Sequence, residues 1–140
     1  MPPSSGPLLI VEDDADIREA LQGYLELQGY EVRAASNGKE ALEFLDTPPR
    51  PALILLDMAL PVMDGHRVLT TRKASEALAE VPVIILSAGM AAMNPRDRAV
   101  YAANYDVAAF LKKPVEPRQL LELIERYALK SPGVQAGTSP

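Results

Sequence analysis

The feature that most restricts what this chain can fold into is its alternation of short apolar runs with amphipathic stretches. Leu8–Val11, Ala52–Leu56 and Val83–Leu86 are continuously apolar, the composition of strands covered on both faces. Tyr30–Ala34 and Ala109–Lys112 are less uniformly apolar and read as flanking strands. Between these runs the period changes. Ile17, Leu21, Tyr24 and Leu25, and later Leu120, Leu123, Ile124 and Tyr127, recur at three- and four-residue steps, each set giving one apolar stripe along a helix. Asp14 or Asp16 suits the cap of the first helix, Gly29 its end, and Pro117 the first turn of the last. Strands and helices in strict alternation predict an α/β fold, a doubly wound five-stranded parallel sheet of (βα)5 type, because parallel crossovers are right-handed. Functional residues of such sheets gather just beyond the carboxyl ends of the strands.

A length of 140 residues accommodates one ordinary hydrophobic core. Residues 1–7 and 131–140 are built from Pro, Ser, Gly, Thr and other small residues and read as flexible tails, leaving residues 8–130 as the folded domain. A formal charge of −5 offers no electrostatic footprint for nucleic acid or an anionic membrane. The lack of cysteine excludes disulfides, thiolate metal sites and thiol nucleophiles. No signal-peptide pattern and no apolar stretch of spanning length is present, so the chain reads as cytoplasmic.

Charged and polar residues sit at the ends of the predicted strands. The first strand runs into Glu12, Asp13 and Asp14, the third into Asp57, the fourth into Ser87, and the fifth into Lys112, Lys113 and Pro114. Carboxylates brought together raise one another's pKa unless a cation compensates. A hard divalent ion such as Mg²⁺, which takes oxygen ligands and keeps several waters, is the natural compensator. It would also shield an incoming phosphoryl oxygen.

The strings Leu9-Ile10-Val11-Glu12-Asp13-Asp14, Leu56-Asp57-Met58-Ala59-Leu60-Pro61-Val62-Met63-Asp64-Gly65 and Phe110-Leu111-Lys112-Lys113-Pro114 resemble the three signature segments of response-regulator receiver domains, in order and spacing, over most of residues 8–130. The resemblance implies the flavodoxin-like strand order 2-1-3-4-5. It also implies that Asp57 is the nucleophile accepting a phosphoryl group from a histidine kinase or phosphotransfer protein. Asp14 and Asp57 would bind Mg²⁺ through their side chains, Asp13 directly or through water, and Ala59 through its carbonyl. Ser87 would be the switch hydroxyl, Lys113 the phosphate-pairing lysine with Lys112 its exposed neighbour, and Phe110 the aromatic switch. Phosphorylation would pull the Ser87 and Lys113 loops inward and repack a surface around the fourth helix, fifth strand and fifth helix.

Each residue also has a plainer reading. Asp13 and Asp14 suit a solvated helix cap, Lys113 a snorkelling sheet-edge lysine, Ser87 a loop hydroxyl, and Phe110 static core. Asp57 is harder to explain away, because a carboxylate ending so apolar a run needs a partner. His66, the single histidine, is expected to be exposed and inert. Two segments depart from the family pattern: Gly89–Pro95 lengthens the loop after Ser87, and Tyr105–Ala109 replaces the usual turn before the last strand. Ala59 and Gly89, two positions beyond Asp57 and Ser87, are small and would leave water unimpeded near an aspartyl phosphate.

The resemblance therefore implies a phosphorylation-dependent signalling switch. It is not a separate enzyme but a phosphoacceptor that catalyses its own phosphorylation and dephosphorylation. Output would run through protein contact, with no direct nucleic-acid or membrane partner, as a monomer or a phosphorylation-linked dimer. Three other readings compete. A non-phosphorylated receiver-like docking module is disfavoured by the complete residue set. An aspartyl-phosphate phosphatase would need an acid where Ala59 stands. A flavin-phosphate binder would need a Gly- and Ser-rich first loop, not an acidic one.

Overall fold

The structure, a computed structural model, describes residues 6–57, 62–87 and 94–128. Among the described residues its strands and helices alternate: β1 (Leu8–Val11), α1 (Ala15–Leu27), β2 (Val32–Ala35), α2 (Gly38–Leu45), β3 (Leu53–Asp57), α3 (Val62–Ala74), β4 (Val83–Leu86), α4 (Pro95–Tyr105), β5 (Ala109–Leu111) and α5 (Pro117–Tyr127). The strands form one parallel sheet in the order β2-β1-β3-β4-β5. The expected doubly wound (βα)5 fold and its strand order are both present.

The two-residue pleat of the strands sorts the core into two layers. Leu9, Val11, Ile54, Leu56, Val83 and Ile85 face one side, where they meet Ala41 and Leu45 of α2, Val68 and Leu69 of α3, and the half-buried Tyr101 and Tyr105 of α4. Leu8, Ile10, Leu53, Leu55, Ile84 and Leu86 face the other, where they meet Leu21 and Leu25 of α1 and Leu120 and Ile124 of α5. Burying each of these large aliphatic side chains contributes about 1.5–3 kcal/mol, so both helical layers are held chiefly by apolar contact.

Local signals explain the helix ends. Asp14 caps α1, its side chain accepting the Ile17 amide at 3.0 Å. At the other end Gly29 adopts a φ of 96°, while the amides of Gly29 and Tyr30 return to the carbonyls of Glu26 and Leu25. That closure uses the Tyr30 amide, so β2 starts at Val32 and not at Tyr30 as its sequence suggested. Asn37 caps α2 and Asn94 caps α4 in the same manner. Pro117 occupies the first turn of α5.

The turn between α4 and β5, where the sequence departs from the family pattern, is ordered around Asp106. Asp106 is left-handed, at φ 56°, and its carbonyl accepts Nη2 of Arg72. Of the lengthened loop after Ser87, residues 88–93 lie outside the described residues, as does Ala59.

Candidate functional site

The strand order reverses direction between β1 and β3, so the crevice opens at the carboxyl ends of those two strands. The pleat decides which side chains enter it. Glu12 continues the alternation of Leu8 and Ile10, Asp57 that of Leu53 and Leu55, and Lys113 that of Leu111. The three charged groups therefore extend one face of the sheet past its apolar layer. Lys113 Nζ lies 2.9 Å from Asp57 Oδ1 and 3.2 Å from Glu12 Oε1. Both carboxylates are fully buried, and the lysine side chain is one-fifth exposed. Lys112 points the other way, into solvent. The Lys113–Pro114 peptide bond is cis.

Asp13 completes the constellation. Among the described residues, one oxygen each from Glu12, Asp13 and Asp57 lie within 4.8 Å of one another, with Asp13 at the exposed mouth. Oxygen-only donors at that spacing suit a hard divalent cation. The charges agree: three carboxyl groups stand against one ammonium, so a bound cation would be compensated as they ionise. The fit to Mg²⁺ thus rests on donor chemistry and charge together.

Asp14, a metal ligand in what the resemblance implied, stands outside this cluster. Its side chain is committed to the first turn of α1, and the third carboxylate of the cluster is Glu12. The physical reason is that the chain leaves the strand after Val11 and begins the helix at Ala15. A cap is therefore needed at Asp14, while Glu12 still follows the strand pleat. Glu12 was visible in the sequence as a charged residue directly ending a fully apolar run, the same signal that singled out Asp57.

The electrostatics follow from burial. Desolvation pushes the Glu12 carboxyl up to about 7, and neighbouring Asp57 adds to the shift. Burial opposes the charge on Lys113, but the carboxylates of Asp57 and Glu12 outweigh it and hold the ammonium above its ordinary pKa. The site is thus anionic around one fixed cation.

Ser87 directly follows β4, is buried, and its amide donates to the carbonyl of Leu111 at 3.0 Å. The hydroxyl-bearing strand end is thereby tied to the strand that leads to Lys113. Phe110 is half-buried and meets Tyr101 edge-on, with ring centroids 6.4 Å apart. His66 is not the exposed residue its sequence suggested. It is half-buried, with its ring edge-on to Tyr101 and Tyr105 at 6.0 and 5.4 Å, because α4 crosses beside α3 and presents both tyrosines. A chain of aromatic contacts therefore runs from α3 through α4 to Phe110 on β5.

Two further residues matter. Arg72 is almost fully buried and gives its Nε, Nη1 and Nη2 to the carbonyls of Val81, Tyr105 and Asp106, each at 2.8 Å. Arg18 reaches back from α1 to the β1–α1 turn. The carbonyls of Tyr105 and Asp106 reach Arg72 only through tertiary packing, whereas Arg18 folds back onto carbonyls five and six residues before it.

Comparison with known proteins agrees with this geometry. The family described as "Response regulator receiver domain" matches residues 8–125. An uncharacterized 14.6 kDa protein from Leptolyngbya boryana is 35% identical over 125 residues, covering 89% of this chain and 92% of that one. The two-component response regulator ORR5 of Oryza sativa subsp. japonica is 33% identical, covering 85% and 86%. The chain spans about half the length of other curated relatives it matches: 54% of the probable transcriptional regulator ycf29 of Porphyra purpurea, at 36% identity. Among solved structures, a CheY-like receiver domain protein from Methanospirillum hungatei JF-1 superposes with a TM-score of 0.72 at 32% identity, covering 88% of this chain and 93% of that one. Chemotaxis response regulator CheY4 of Vibrio cholerae superposes with a TM-score of 0.76 at 25% identity, covering 89% and 99%. With a matched segment that spans the whole sheet and an acidic pocket at the strand ends, this chain belongs to the response regulator receiver family of two-component signalling.

Proposed function

We propose that this receiver is a phosphorylation-dependent switch in which Asp57 takes a phosphoryl group from a phosphohistidine on a sensor histidine kinase or phosphotransfer protein. The observation that carries the reading is the buried Asp57 carboxylate held by Lys113 Nζ at 2.9 Å, with Glu12 and Asp13 beside it. A carboxylate oxygen of Asp57 attacks phosphorus, the new O–P bond replaces the N–P bond, and the imidazole leaves with the electron pair and is protonated. Lys113, already on Asp57, pairs with the transferred group as a point charge. Ser87, at the end of the neighbouring strand, turns its hydroxyl toward a phosphoryl oxygen, and Phe110 follows.

Asp13 and Asp57, with Glu12 behind them, would hold Mg²⁺, and the Ala59 carbonyl is assigned to the same set from the family resemblance. The ion would supply charge neutralisation for the phosphoryl oxygens. Asp14 is left out of this set because its carboxylate caps α1. Output runs through contact with a protein. No helix among the described residues is long and apolar enough to cross a membrane.

The test is incubation with acetyl phosphate, with and without Mg²⁺, followed by intact mass. Mg²⁺-dependent gain of one phosphoryl group in the wild type, absent in Asp57→Asn, is the expected result. A folded wild-type protein that gains nothing overturns the reading and leaves a docking module in its place.

A further inference from the structure

Of the three clustered carboxylates, Asp13 alone is exposed, so its direction depends on how firmly the β1–α1 turn is held. Three contacts fix the flanks of that turn. The Glu12 amide donates to the Ala35 carbonyl at 3.0 Å, the Asp14 amide to Glu12 Oε2 at 3.2 Å, and the Ile17 amide to Asp14 Oδ1. The two peptide carbonyls in the middle of the turn, those of Glu12 and Asp13, lead to one side chain. Arg18 Nη1 donates to Glu12 O at 2.9 Å and approaches Asp13 O at 3.5 Å. Arg18 stands one helical turn into α1 and is half-buried against the turn it binds. Its charge also reaches toward α2. The Glu40 carboxyl is held below its usual range first by the amide and hydroxyl of Ser36, and the Arg18 guanidinium adds to this. Arg18 thus sits where the β1–α1 and β2–α2 connections meet, bonded to main chain and not to the acidic side chains themselves.

We propose that Arg18 is a positioning residue for the cation site. By gripping the peptide planes on either side of Asp13, it sets the direction in which that carboxylate leaves the backbone toward Asp57. The inference rests on the Mg²⁺ reading of the pocket given above. It yields a sign that a purely electrostatic role would not. Removing a positive charge from the turn that carries the carboxylates strengthens cation binding by Coulomb's law. Releasing the turn weakens it, because an exposed ligand must then be ordered at each binding event.

The experiment is a calorimetric Mg²⁺ titration of wild type, Arg18→Gln and Arg18→Lys, paired with the Mg²⁺ dependence of acetyl phosphate labelling. The expected result is a half-saturating Mg²⁺ concentration about tenfold higher in Arg18→Gln, the low end of the range for residues that orient metal ligands. The labelling rate at saturating Mg²⁺ is expected to stay near wild type. Arg18→Lys, which keeps a charged donor but not the guanidinium fork, is expected to recover most of the affinity. Wild-type or tighter binding in Arg18→Gln overturns the inference while leaving the switch itself intact. Failure of the wild type to bind Mg²⁺ overturns both. Amide resonances of Glu12, Asp13 and Asp14 in the metal-free variant give an independent readout: they shift if Arg18 holds the turn and stay fixed if it does not.

Discussion

Replacing Arg72 by methionine keeps most of the apolar stem and removes every donor, which makes it a direct probe of how α4 is attached. Helix α4 buries no residue completely. Its apolar hold comes from the half-buried Tyr101, Ala102 and Tyr105, and its carboxyl end is held by two cations from α3. Arg72 takes the carbonyls of Tyr105 and Asp106, and Lys73 takes that of Asn104. The third donor of Arg72 holds Val81 O beneath a fully buried side chain. Deleting the guanidinium leaves that carbonyl without its partner in a dry environment, at about 1–3 kcal/mol. The carbonyls of Tyr105 and Asp106 lie nearer the surface and regain water, so each costs about 0.5–1 kcal/mol. Burial pushes the Arg72 pKa down, with Asp106 opposing, so part of the loss is returned when the charge is removed. A net destabilisation of roughly 2–4 kcal/mol remains, within the usual range for breaking a buried polar network. At about 4 °C per kcal/mol for a domain of this size, the melting midpoint falls by roughly 8–16 °C. Calorimetry reads the midpoint. Hydrogen exchange at Val107 and Ala108, whose amides bond Ala102 O and Val83 O, locates the loss in the α4–β5 connection. A midpoint within about 2 °C of wild type would refute the reasoning, since three bonds from one buried cation could not then contribute as argued.

Two further outcomes separate roles at the acidic turn. Asp14→Ala loses the α1 cap and about 1 kcal/mol of stability, whereas Asp14→Ser retains both. Neither shifts the Mg²⁺ dependence of labelling as far as Asp13→Asn does, and an equal shift in Asp14→Ser would return Asp14 to the ligand set. The buried Glu12 gives a signed pH effect in metal-free protein. Its carboxyl is raised from 4.5 to about 7 in the fold, so the native state retains a proton that the unfolded chain has released. Stability therefore falls as pH rises through that window. Glu12→Gln removes this contribution, so urea midpoints of variant and wild type should diverge in favour of the variant between pH 5 and pH 8. Parallel curves would show that Glu12 does not titrate there.

Much of this protein was legible in its sequence because the information is local. The unbroken apolar run at Leu8–Val11 and the period of three to four at Leu120–Tyr127 mark which residues enter the core, whatever surrounds them. The sheet and the positions of Asp57, Ser87 and Lys113 at strand ends follow from that. Capping chemistry at Asp14 and the left-handed position at Gly29 were equally local, and both are present in the structure.

What remained undetermined depends on contacts between distant segments. Glu12, Asp13 and Asp14 follow one another in the string, and the continuing pleat of β1 with the onset of α1 decides how deeply each is buried and which of them converge on Asp57. His66 reads as exposed from sequence because Tyr101 and Tyr105 reach it only across the α3–α4 packing. Nothing near Arg72 in the sequence marks it, because the carbonyls of Tyr105 and Asp106 are brought to it from the far end of α4. Side-chain periodicity along a segment is set by backbone geometry, which the sequence alone determined here. The partner of a buried charge is set by whichever chain segment the fold brings within hydrogen-bonding distance, and that the tertiary structure decided.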